Sequence, residues 1–96
     1  MDNQTIQISK DQLSKLNFKA VDEEQYPNRD LTTIYRMLKV ATNKTINSKK
    51  LTTVVFQSKK RGIFTVKSSI LMAGKEFIVF KGGFTLPIKS IIQIKQ

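Results

Sequence analysis

The sequence predicts an α+β fold, with two N-terminal helices packed on a five-stranded, strongly bent antiparallel sheet or small partly open barrel. Three observations predict it. Apolar residues recur at helical spacing in the first forty or so positions, and from Leu51 onward they alternate instead. Gly-bearing turns divide that second half into short pieces. The run from Val79 to Ile94 then joins an apolar strand, a Gly82-Gly83 turn, a short strand ended by Pro87 and a last alternating strand. At 96 residues the chain is read as one domain, helical over residues 1–42 and strand-rich over residues 51–96.

Thr5-Ile6-Gln7-Ile8 alternates as a short strand or edge segment does. Ser9 with Gln12 forms the pattern of a capping box, and Ile8 with Leu13 that of a hydrophobic staple. Asn17 suits a left-handed position past the helix end, with Phe18 turning back onto Leu13. These signals agree on a two-turn helix over residues 10–16. Residues 19–27 read as an irregular segment. Its Asp22-Glu23-Glu24 run is taken as a solvated loop rather than a metal or acid–base site, because adjacent carboxylates diverge in any regular backbone. Asn28 or Asp30 caps a second helix that reaches about Val40. Leu31, Ile34, Tyr35 and Leu38 form its apolar stripe, so it is read as a packing helix rather than a reader of a DNA groove. Residues 41–50 read as a connecting loop with Ile46 as its one candidate for burial.

The strands follow. Residues 51–57 place Thr52, Val54 and Phe56 on one face and Leu51, Thr53 and Val55 on the other. Ser58-Lys59-Lys60-Arg61-Gly62 reads as a hairpin loop with Gly where positive φ is needed. Residues 63–71 read as one strand and Met72-Ala73-Gly74-Lys75 as a tight turn. Residues 76–80 are apolar throughout from Phe77, the mark of a central strand covered on both faces. After the Lys81-Gly82-Gly83 turn comes a strand over residues 84–86. Pro87 is expected at an edge or a strand end. Ile88-Lys89-Ser90 fits one 3₁₀ turn, and residues 91–94 supply the fifth strand.

Composition narrows the chemistry. The chain has no Cys and no His, which removes thiol nucleophiles, imidazole bases and Cys- or His-ligated zinc. It carries no phosphate-loop glycine pattern and no telling pair of carboxylates, so no enzyme, cofactor or metal is expected. The polar start and the lack of a long apolar run lead to the expectation of a cytoplasmic protein without a leader or a membrane span. Net charge is +10, and its distribution is uneven. Residues 1–38 hold five Lys/Arg against six Asp/Glu, a net of −1, whereas residues 39–96 hold twelve against Glu76 alone, a net of +11. A coding bias toward Lys accounts for abundant lysine, but less well for the near-absence of acids after residue 38. A basic field of this kind points to a polyanionic partner.

Five short strands on tight turns, closed by a Gly turn, a Leu86-Pro87-Ile88 step and a 3₁₀ turn before the last strand, resemble the closing half of Sm-like and Src-homology-3-like small barrels. The resemblance covers about residues 51–95, implies that fold alone, and transfers no site residue. No groove of aromatics and acids for proline-rich peptides is visible.

The primary functional expectation is therefore a small basic module that binds DNA or RNA with low sequence specificity. Its candidate nucleic-acid-binding residues are Lys49, Lys50, Lys59, Lys60, Arg61, Lys67, Lys75, Lys81 and Lys89, with Lys95 adding to the field. Lysine suits phosphates better than base edges. The alternative is a protein-interaction or assembly adaptor that uses an open barrel edge, at residues 52–56 or 91–94. Phe56, Phe64, Phe77, Phe80 and Phe84 are assigned to the core, with Phe84 as the best candidate for an exposed ring.

Overall fold

The computed structural model describes residues 6–42, 51–59 and 62–95. Among them are seven strands, one α-helix and two 3₁₀ helices, so the expectation of two helices on a five-stranded sheet is corrected. The strands are β1 (Ile6–Ile8), β2 (Thr52–Ser58), β3 (Gly62–Ser68), β4 (Ile70–Ala73), β5 (Phe77–Phe80), β6 (Thr85–Pro87) and β7 (Ile91–Lys95), and the helix is α1 (Leu31–Ala41). They form a four-stranded sheet in the order β1-β3-β2-β7 and a three-stranded sheet in the order β4-β5-β6. All pairs are antiparallel except β1 with β3, which is parallel.

The extra strand arises at Ser69. Residues 63–71 read as one strand because their alternation is unbroken: Phe64, Val66, Ser68 and Ile70 are all buried. Their hydrogen-bonding partners nevertheless change from β2 to β5 at that point. The Ser69 carbonyl accepts instead from the Lys81 amide at 2.9 Å. Side-chain parity is preserved while the strand leaves one sheet for the other, and periodicity carries no record of such a corner. Met72 and Ala73, expected in a turn, extend β4.

The first expected α-helix is a 3₁₀ helix, Lys10–Lys15. Gln12 Oε1 accepts from the Ser9 amide at 3.0 Å, as the capping pattern required, and Leu13 is buried. Asn17 does not take the left-handed conformation, since among the described residues only glycines have positive φ. Phe18 turns onto Phe56 rather than closing a helix, with ring centroids 5.8 Å apart. In α1, Asp30 is the cap, accepting from the Thr32 amide. The buried stripe is Ile34, Leu38 and Ala41, while Leu31 and Tyr35 are 45% and 41% exposed. The helix is thus rotated from the expected face. It packs on β4 of one sheet and β7 of the other, and that double contact fixes which side turns inward.

One core joins both sheets: Val54, Phe56, Phe64 and Val66 cluster with Ile70, Ile78, Phe80 and Leu86 and with Leu13, Ile34 and Leu38 of the helices. Pro87 stands on β6, an edge strand, where its missing amide costs no ladder bond. Gly82 and Gly83 have φ of 98° and 87°, a conformation that side chains disfavour. Ile88–Ser90 forms the expected 3₁₀ turn into β7.

Candidate nucleic-acid interface

The described cations among those expected fall into two groups beside the two sheets. Lys49, Lys50, Lys60 and Arg61, like Ile46, lie outside the described residues. Lys59, Lys67, Lys75, Lys81, Lys89 and Lys95 are all exposed.

On the four-stranded sheet, Thr53 of β2 pairs with Lys67 of β3 on one side and Lys95 of β7 on the other. Directly opposed residues point to the same face, so two lysines flank Thr53 on the outer surface. Strand spacing puts their backbones about 10 Å apart. The next outward position on β2, Val55, is only 7% exposed. Tyr26 and Gln25 approach it from the loop before α1, sharing with Val55, Ile63 and Thr65 a groove of about 600 Å³. Gln57, outward again, is also buried, and its Oε1 has no hydrogen-bond partner among the described residues. This outer face is therefore partly covered by the N-terminal half of the chain.

On the three-stranded sheet the outer face is more exposed. Met72 pairs with Val79, Val79 with Thr85, and Phe77 with Pro87. Their inward neighbours Ile78 and Phe80 are wholly buried, but Phe77 is 55% and Met72 58% exposed. The expectation that β5 is covered on both faces is corrected, as is the assignment of Phe77 to the core. Phe84, the expected exposed ring, packs against the core. The alternation of Phe77 and Val79 against Ile78 and Phe80 was the signal for this face, masked by a run in which every residue is apolar.

Lysines border this face. Lys75 precedes β5 by two residues and Lys81 follows it directly. Lys89 lies two residues beyond Pro87 and shares the Phe77 end with Lys75, because the Ile88 amide donates to the Glu76 carbonyl at 2.8 Å. The turn that carries Lys75 is held twice. The Gly74 amide donates to the Phe77 carbonyl at 2.8 Å, and the Tyr35 hydroxyl to the Lys75 carbonyl at 2.7 Å.

Arg29 has a structural task. Its Nε donates to the Ile91 carbonyl at 2.6 Å and its Nη2 to the Ile88 carbonyl at 2.9 Å. Burial lowers its pKa, against the opposing negative charge of Glu23. Neither contact was visible in sequence, since the partners lie about sixty positions away. Of the two expected edges, residues 52–56 are interior, because β2 is paired on both sides. β7 is an edge strand, and a groove of about 570 Å³ runs between it and α1, lined by Tyr26, Arg29, Thr33, Met37, Ile92 and Gln93 among others.

Among the described residues no group of three or more Asp, Glu, His or Cys could hold a metal ion, and no helix is long and apolar enough to cross a membrane. No family model, curated protein or solved structure gives a significant match to the chain.

Proposed function

We propose that the chain is a small, non-catalytic basic module of the cytoplasm that binds nucleic acid with low sequence specificity through lysine side chains. The observation that carries this reading is that all six lysines described between residues 59 and 95 are exposed, while Glu76 is the only acid in residues 39–96. The Lys67–Thr53–Lys95 row adds a pair of cations held at fixed spacing on a sheet. The proposal keeps the Sm-like and Src-homology-3-like resemblance for residues 51–95, which the 3₁₀ turn before β7 supports.

Binding measured by fluorescence anisotropy on mixed-sequence oligonucleotides should weaken steeply between about 50 and 200 mM salt. Replacing Lys67 and Lys95 by Ser should lower the log–log salt slope by about 2, one for each phosphate contact removed. As exposed substitutions, they should shift stability by no more than about 0.5 kcal/mol. No binding at micromolar protein in low salt would sink the proposal.

A second reading is favoured by the groove beside β7: an assembly or adaptor module to which a partner strand adds at that edge. Size-exclusion chromatography with light scattering tests its self-assembling form. A chain that stays monomeric at high concentration removes that form.

A further inference from the structure

We infer that the outer face of the three-stranded sheet is a stacking platform for unpaired bases, with Phe77 as the stacking ring and Lys75, Lys81 and Lys89 as the phosphate contacts. The inference rests on the nucleic-acid reading above and narrows its substrate to single strands.

Folding does not explain Phe77. It sits within β5, its neighbours Ile78 and Phe80 are fully buried, and yet the residue is 55% exposed. Pro87 stands across from it and Met72 lies on the same face opposite Val79. Both keep that face largely apolar, and the thioether of Met72 adapts to irregular contacts. The border is cationic on balance: Lys75 and Lys89 stand at the Phe77 end beside the exposed Glu76, and Lys81 at the Phe80 end, each lysine exposed. Apolar faces of proteins have many partners, but one rimmed by lysines at both ends of its central strand matches a ligand with flat apolar faces strung on an anionic backbone. An unpaired polynucleotide has that chemistry. A duplex does not, because its base faces are already stacked on one another. The Tyr35 hydroxyl on the Lys75 carbonyl and the Gly74 amide on the Phe77 carbonyl order the turn beside the ring, which reduces the ordering cost of binding.

The test uses anisotropy at low salt with oligo-dT, oligo-dU, oligo-U and a mixed-sequence duplex of equal length, on the full chain. Single strands should bind more tightly than the duplex. Equal affinity for dT and U marks stacking without recognition of the 2′-hydroxyl or the thymine methyl, and a preference between oligo-U and oligo-dU, which differ in the sugar alone, assigns the platform to RNA or DNA. Phe77→Ala should weaken single-strand binding by about 5- to 150-fold, leave duplex binding near wild type and lower the thermal midpoint by no more than about 8 °C. Phe77→Trp should retain affinity. The chain has no other Trp, so its emission reports the ring alone and should be quenched by stacked bases. Unchanged single-strand affinity in Phe77→Ala overturns the inference. If Lys75, Lys81 and Lys89 changed to Ser weaken both probes in that case, the broader nucleic-acid reading survives without the platform. If the wild-type chain binds neither probe, both fall. Loss of self-association in Phe77→Ala without loss of single-strand affinity would instead make this face a contact between copies of the chain.

Discussion

The two sheets share one core but differ on their outer surfaces. On the four-stranded sheet, the outward residues Val55 and Gln57 are nearly as buried as core residues, with the loop before α1 folded near Val55. On the three-stranded sheet, the outward residues Met72 and Phe77 are more than half exposed. Both sheets have the same inner requirement, met by Val54, Phe56 and Val66 in one and by Ile78, Phe80 and Leu86 in the other. The covered part of the first face is thus accounted for by folding. The more exposed face carries large apolar side chains that folding leaves in water, and a function is the natural place to look for their reason.

The sharpest break of this comparison lies within β5. Phe80→Ala removes a wholly buried ring and should cost about 3–5 kcal/mol, a large share of the total stability of so small a domain. Phe77→Ala, three positions away, should cost no more than about 1 kcal/mol. Urea denaturation of the two variants measures both, and equal losses would show that the two faces are not different. A smaller effect is expected on the covered side. Arg29→Ala removes the side-chain donors of the Ile91 and Ile88 carbonyls, of which Ile88 keeps the Ile91 amide, and should cost about 1–3 kcal/mol. Arg29→Lys should recover only part of it, since a lysine lacks the planar fork. Neither change should alter the salt slope of nucleic-acid binding, and a change there would move Arg29 from scaffold to interface.

The smallest effect concerns the start of α1. Asp30 accepts from the Thr33 hydroxyl at 2.8 Å and from the Thr32 amide at 3.0 Å, bonds that hold its carboxyl below the ordinary carboxylate range. A group whose pKa is depressed on folding stabilises above its unfolded value and loses that contribution as pH falls through the folded one. The melting temperature of Asp30→Ala should therefore lie below wild type at neutral pH. The gap should close as the pH is taken below the ordinary Asp range, and a gap independent of pH would show that the charge plays no part.

Local signals in the sequence were legible where one residue's chemistry decides the structure. Ser9 with Gln12, Asp30 as cap, the glycines of the turns, Pro87 at an edge and the 3₁₀ turn of Ile88–Ser90 all form as their residue types dictate. What sequence could not reveal depends on partners far along the chain. The corner at Ser69 preserves alternation, so nothing local marks it. The face that α1 buries is set by two strands from different sheets, which draws Ile34, Leu38 and Ala41 inward in place of Leu31 and Tyr35. For the candidate interface, the exposed lysines followed from their charge. The exposure of Phe77 was hidden because an unbroken apolar run does not say which of its faces lacks a cover.

The parallel pairing of β1 with β3 has a kinetic consequence. Ile6 lies opposite Phe64, the Ser90 hydroxyl donates to the Lys19 carbonyl 71 positions away, and Arg29 reaches Ile91 across 62. Such contacts form only after long stretches of chain have been closed into loops, and that entropy is spent before the contact returns anything. The β2–β3 hairpin, whose strands are neighbours in sequence, needs no such closure and is the natural first structure. The N-terminal segment has no edge to join until β3 is in place. Refolding should therefore run on the millisecond-to-second scale of β-rich domains rather than the microseconds of helical ones, with the two ends of the chain docking last.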